Sequence, residues 1–191
     1  MASGRDRISR GRRPPSRRTV AVAVLLAALT LAGCGRAGSG GVVVPRTMSV
    51  TSAALSQNVL PQRYTCHGVG INPPLDWSGA PAGTKSFALV VDDSSAPITP
   101  FIYWLVFHIG PGTTDIQEGM LPTGARQAQN SHNTLDYDAP CPVGHSHWYR
   151  FTVYALSTEI NLPAGANLQQ VWTAIASATI GRGRTVVLGY P

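Results

Sequence analysis

The chain has 191 residues, 43% of them hydrophobic, and a formal charge of +6. That charge is local: seven arginines and one aspartate precede residue 34, while residues 34–191 carry eight basic and eight acidic side chains and are neutral. A folded part without basic excess argues against nucleic acid as a partner.

In chain order, the first element is an export signal. A basic start (Arg5 to Arg18) precedes an apolar stretch from Thr19 to Ala32 and the sequence Leu31-Ala32-Gly33-Cys34. The apolar run is shorter than the roughly 20 residues that a membrane-spanning helix needs. The LAGC ending resembles the lipobox of bacterial lipoproteins, in which the cysteine is acylated with palmitate-type chains and becomes the first residue of the mature chain. On this reading residues 1–33 are a lipoprotein signal peptide and Cys34 is the lipidation site. The protein is then expected at the bacterial cell envelope, lipid-anchored to the membrane, with its domain on the extracytoplasmic side. The alternative is a plain signal peptide with an incidental cysteine. Arg17-Arg18 does not decide between the Sec and twin-arginine export routes.

Residues 34–46, opening GRAGSGGVVVP from Gly35, read as a flexible tether, and 47–191 as one domain, since this length serves one core and not two. With Cys34 acylated, Cys66 and Cys141 are an even pair in an exported chain, and a disulfide between them is expected. Two separate thiols are the alternative.

Strand signals dominate the domain. They fall at Thr47–Ala53, Ser86–Asp92, Tyr103–Ile109, Trp148–Leu156 and Thr185–Tyr190, each short, rich in β-branched or aromatic residues, and bounded by turn formers. One helix is predicted over Asn167–Ile180, with apolar residues at helical spacing and Gly181 as its stop. Strands and helices do not alternate, so the prediction is a mainly β fold, largely antiparallel, with one or two short helices. Residues 110–147 show little regular pattern.

The stretch LDYDAPCPVGHSHWYRFTVYAL, residues 135–156, runs a Pro-, Cys- and His-rich loop straight into an alternating strand. Prolines stiffen such a loop, a glycine turns it, and the strand behind holds its imidazoles in place, which suits a ligand site. An ordinary connection has the same composition. His145 and His147 are spaced to share one strand face as metal ligands do, and His67, His108 and His132 are spare imidazoles. No Asp, Glu or Cys completes a recognised ligand spacing, so no metal is assigned. No GxSxG elbow exposes a serine and no Gly-rich loop opens a helix, so neither an enzyme nor a cofactor is expected.

Four segments together are similar to the phosphatidylethanolamine-binding protein family, in its bacterial branch named after Raf kinase inhibitor. They are YTCHGVGINPPLDWSGAPAGTKSFALVV (64–91), DSSAP (93–97), YDAPCPVGHSHWYRFTVYAL (137–156) and ASATI (176–180). The resemblance implies two packed antiparallel sheets and a small pocket for anions such as phosphate or a phospholipid headgroup. In the family, an Asp-Pro-Asp-x-Pro turn, a histidine at the start of the next strand and a loop ending in His-Arg-Tyr line that pocket. Carried over by position, these imply Asp93, Ser95, Tyr103, His147 and Tyr149 as ligand-binding residues, with Tyr137 and Pro142 from the same loop. Ser95 stands where the family has aspartate, Tyr103 where it has histidine, and Trp148 where it has arginine. The resemblance therefore implies a non-enzymatic, lipid-anchored binding protein for a small anion or phosphorylated headgroup. The alternative it implies is an interaction protein that inhibits an envelope or host enzyme, a peptidase or a kinase, as relatives do.

Overall fold

A computed structural model describes residues 45–96 and 99–191. The predicted signal peptide, Cys34 with most of the tether, and Pro97 lie outside the described residues. The described chain is mainly β. Its strands are β1 (Arg46–Thr47), β2 (Ser49–Thr51), β3 (Leu75–Ser78), β4 (Ser86–Asp93), β5 (Phe101–Ile109), β6 (Asp115–Ile116), β7 (Arg126–Gln127), β8 (His147–Leu156) and β9 (Thr179–Gly189). One α-helix, α1 (Leu168–Ala178), and two lone 3-10 turns complete the regular structure.

Two sheets form, one in the order β1-β9-β8-β4-β5-β7 and one in the order β2-β3-β6. Residues from both build the main core, where Val50, Leu75, Trp77 and Ile116 meet Phe87, Leu89, Phe151 and Val187. A second core lies on the other face of the larger sheet, where Val171 and Ile175 of α1 pack with Ala88, Val90, Leu105 and Leu156. Covering on both faces explains why all eight residues of SFALVVDD are buried. Each large apolar side chain so enclosed stabilises the fold by roughly 1.5–3 kcal/mol. Among the described residues both cores lie between Met48 and Val187, and residues 43–191 form a compact unit.

The structure redraws several predicted boundaries. The strand predicted over Thr47–Ala53 is two strands in different sheets: β1 pairs with β9, in parallel, and β2 pairs with β3. Met48 is the crossing point, its N–H donating to Arg182 O at 2.9 Å. The helix predicted to Ile180 ends at Ala178, where the Ser157 N–H and hydroxyl take the Ala178 carbonyl at 2.8 and 3.2 Å. Strand β9 follows at once, six residues ahead of the predicted Thr185. Gly181 is therefore no helix stop. It sits in β9 where a Cβ would lie 2.7 Å from Pro81, so only glycine admits that loop. Strand β3 went unpredicted, and residues 110–147 hold two strands of two residues each.

Cys66 and Cys141 form a disulfide across 75 residues, with Cα atoms 5.2 Å apart. The Cys66 N–H donates to Pro140 O at 3.0 Å, so backbone and side chain hold the 137–146 loop at the same point. Pro142, next in sequence, is buried.

Candidate functional site

Adjacent central strands bring the site together. Asp93 ends β4 and stands directly across from Tyr149 of β8, two residues after His147 begins that strand. His147 Nδ1 meets Asp93 Oδ2 at 2.6 Å, with the two side chains 21% and 5% exposed. The other aspartate oxygen, Oδ1, accepts the Ser95 N–H at 2.7 Å. A carboxylate so enclosed is stabilised only because both oxygens find donors.

The turn after β4 is locked to β8 by main-chain groups. Ser94 N–H and its hydroxyl both donate to Trp148 O, at 2.9 and 3.0 Å, and the Trp148 N–H donates to Ser95 Oγ at 2.9 Å. Trp148, at the position where the resemblance places arginine, therefore contributes its peptide groups here, and the residue is 47% exposed.

Tyr103 reaches the site through a β-bulge. Val91 pairs with Trp104 and Asp92 with Ile102, so Tyr103 has no partner on β4. The extra residue places Tyr103 and Trp104 against the same inner core, where strict alternation would send them to opposite faces. The Tyr103 ring then meets the Tyr149 ring edge-on at 5.6 Å. Tyr149 is buried and its hydroxyl has no hydrogen-bond partner among the described residues. Burial first, and then the neighbouring charge of Asp93, hold the Tyr103 phenol above its ordinary range. Burial likewise raises Tyr149, followed by Tyr103 and Asp93. Both are neutral phenols, able to donate.

Of the remaining implied residues, Tyr137 and Pro142 sit behind this group. The Tyr137 hydroxyl donates to Tyr64 O at 3.0 Å, and its ring stands edge-on to Trp104 at 5.7 Å, so its donor is already committed. Pro142 backs Gly189, where a Cβ would fall 2.5 Å from Tyr149 Cε2 and 3.7 Å from Pro142 Cγ. Asp93, Ser95, Tyr103, His147 and Tyr149 converge; Tyr137 and Pro142 buttress them.

The rings of His145 and His147 stack at 4.4 Å with 23° between planes, rather than aiming nitrogens at a common point. With Nδ1 of His147 engaged by Asp93, the arrangement suits a layered wall better than a metal clamp. One cluster of metal-ligating residue types is present among the described residues, Cys66, His67 and Cys141, and the disulfide has consumed both thiols.

The sequence reading left one neighbour unplaced. His132 Nδ1 meets Asp138 Oδ2 at 2.6 Å, and Phe101 packs between His132 and Tyr103, 4.8 Å from each. The 130–138 loop is pinned beside the site by the Asp138 N–H to Tyr103 O at 3.1 Å and the Ser131 N–H to Ile102 O at 2.9 Å. The signal available in the sequence was Asn130, whose side chain closes the loop onto the N–H groups of His132 and Thr134, each at 3.0 Å.

Comparison with known proteins accords with the fold. Residues 50–190 match the family model described as phosphatidylethanolamine-binding protein. A Methanothermobacter thermautotrophicus protein named UPF0098 is 38% identical over 143 residues, covering 72% of this chain and 95% of the relative. A Mycobacterium tuberculosis protein provisionally named lipoprotein LppC is 34% identical over 191 residues, covering 89% of this chain and 94% of that one. Among solved structures, Escherichia coli YbcL, described as a member of the mammalian PEBP family, superposes with a TM-score of 0.70 at 28% identity. The match covers 75% of this chain and 98% of YbcL.

Proposed function

Because the chain belongs to the phosphatidylethanolamine-binding protein family, we propose that it is an exported, lipid-anchored binding protein whose site at Asp93 and His147 holds a small anion or a phosphorylated headgroup without transforming it. The observation that carries this is the 2.6 Å contact between a nearly enclosed carboxylate and an imidazole at the site's edge. Asp93 fixes the ring through Nδ1, which leaves Nε2 without a hydrogen-bond partner among the described residues. Nε2 then faces an incoming anion, toward which an imidazolium donates a charge-assisted bond, and the Tyr103 hydroxyl, backed by the buried Tyr149, adds a neutral donor. Ser95 in place of a second carboxylate lowers the negative charge that an incoming anion meets.

The anchor is supported by the leader and LAGC sequence and by the lipoprotein name of the mycobacterial relative.

Calorimetric titration with phosphoethanolamine and with inorganic phosphate tests the site. Wild-type protein is expected to release heat with a saturable curve, and His147→Ala to weaken binding about tenfold or more, the loss of one charge-assisted hydrogen bond. Identical curves for the two proteins remove His147 from the site. The second reading, an inhibitor of an envelope enzyme, draws on a different observation: Val143 and Trp148, 75% and 47% exposed, flank the site as apolar contacts suited to a protein. A partner retained equally by wild type and by Trp148→Ala in a pull-down would count against it.

A further inference from the structure

The face of the larger sheet opposite the Asp93 site carries a second constellation. Alternation along β8 turns Arg150 and Tyr154 away from His147 and Tyr149, and on β9 Arg182 stands across from Tyr154 and Arg184 across from Thr152. Arg150, Tyr154, Arg182, Arg184 and Trp172 of α1 line a cavity of about 370 Å³. Arg150 is held there by Asp92, from Nε at 2.9 Å and also from Nη2. Arg182 and Arg184 are exposed, and neither has a carboxylate within ion-pair distance among the described residues. With Asp92 matched to Arg150, the lining carries two uncompensated positive charges. Burial raises the Tyr154 phenol, whereas Arg184, Arg182 and Arg150 act to lower it, so all three guanidiniums lie within electrostatic reach of that hydroxyl. Trp172 stands edge-on to Tyr154 at 6.0 Å and is 36% exposed.

The path of the chain gives this face its partner. Strand β1, the first element of the domain, pairs with β9 so that Arg46 stands across from Gly181 and Thr47 across from Arg182. The chain preceding Arg46 therefore joins the domain at the edge that carries the free arginines. The twelve residue-to-residue steps from Cys34 to Arg46 span at most roughly 40 Å. An anchored domain is thus confined beside its own membrane, with the bilayer's anionic headgroups at high effective concentration. Exposed arginines and an amphipathic indole lining the same cavity match such a surface, since guanidinium pairs with phosphate and tryptophan settles at the headgroup level.

We propose that the edge formed by Arg182, Arg184 and Trp172 docks on an anionic phospholipid bilayer. The inference rests on the anchored reading of Cys34, and its test does not use the anchor. The segment 43–191, which holds both cores and the disulfide, is mixed with vesicles of phosphatidylcholine alone or with phosphatidylglycerol added, and sedimented. The anionic vesicles are expected to carry the segment down, less so as salt rises. Arg182→Gln with Arg184→Gln is expected to lower the partition coefficient about thirty-fold, at the usual contribution of each basic residue near a charged bilayer. Equal partition onto neutral and anionic vesicles overturns the proposal, as does a double variant that sediments like wild type. Displacement by inorganic phosphate would assign the arginines to a free anion instead. A loss caused by His147→Ala and not by the arginine changes would move the contact to the other site and equally overturn it. Acylation of Cys34, followed separately by palmitate labelling of the full chain, can fail without altering any of these outcomes.

Discussion

At the scale of single residues, the environment of the tyrosines makes a pH prediction. Tyr103, Tyr137, Tyr149 and Tyr154 all have phenols raised above the ordinary value of 10.0, with burial the largest cause in each. A group whose folded-state value is raised favours the native state while protonated, so this stabilisation is complete below pH 10 and is lost as pH climbs beyond it. Spectrophotometric titration should show these phenolates forming late and together with unfolding, while independent, reversible ionisation near pH 10 would contradict their burial. Gly189 makes a second prediction. A methyl group at Gly189 would meet the Tyr149 ring at 2.5 Å, so Gly189→Ala should cost about 1–3 kcal/mol in a denaturant titration and displace Tyr149 from the site. The importance of Gly189 for the site was hidden in the sequence, because it meets Tyr149 only through the pairing of β8 with β9.

Elements explain which parts of the fold were readable. Strands β4 and β8 were legible because SFALVVDD is a continuous apolar run and WYRFTVYAL a β-branched and aromatic one, both long enough to register. Strand β3 was not: Leu75 to Ser78 is four residues after two prolines, and its partners come from β2 and β6 on either side in sequence. Residues 181–184 of β9 read Gly-Arg-Gly-Arg, which resembles a turn, yet Gly183 is required where a Cβ would lie 2.6 Å from Met48 O. The site was legible in part for the same reason. A loop feeding β8 announces His147, but the bulge that re-aims Tyr103 belongs to the pairing of β4 with β5 and leaves no local mark. Two elements carry measurable stability. Asn167 caps α1 by accepting the Gln169 N–H at 2.9 Å, so Asn167→Ala should cost about 1 kcal/mol. The disulfide closes 75 residues, and the chain-entropy relation gives it roughly 4 kcal/mol. Denaturation with and without reductant should show a loss of that order, together with loosening of the 137–146 loop; unchanged stability would mean that the reduced chain keeps the same constraints.

For the whole molecule, family membership, the two-sheet fold and the disulfide stand together, and they place one polar cluster at the ends of β4 and β8 and another on the opposite face of the same sheet. The proposed anchor would give both a common setting. Cys34→Ser in the full chain should leave only the salt-sensitive contact of the arginine edge, so that a high-salt wash moves the protein into the soluble fraction, and membrane association that survives the wash would argue for retention through the uncleaved leader. Binding at Asp93 and His147 is observed most directly by NMR of the His147 imidazole nitrogens as phosphate or phosphoethanolamine is added. The expected result is a saturable shift at Nε2, with Nδ1 still hydrogen-bonded to Asp93 and the His132 signals unmoved. Imidazole resonances of His147 that stay fixed up to tens of millimolar of either ligand would contradict an anion site at this position.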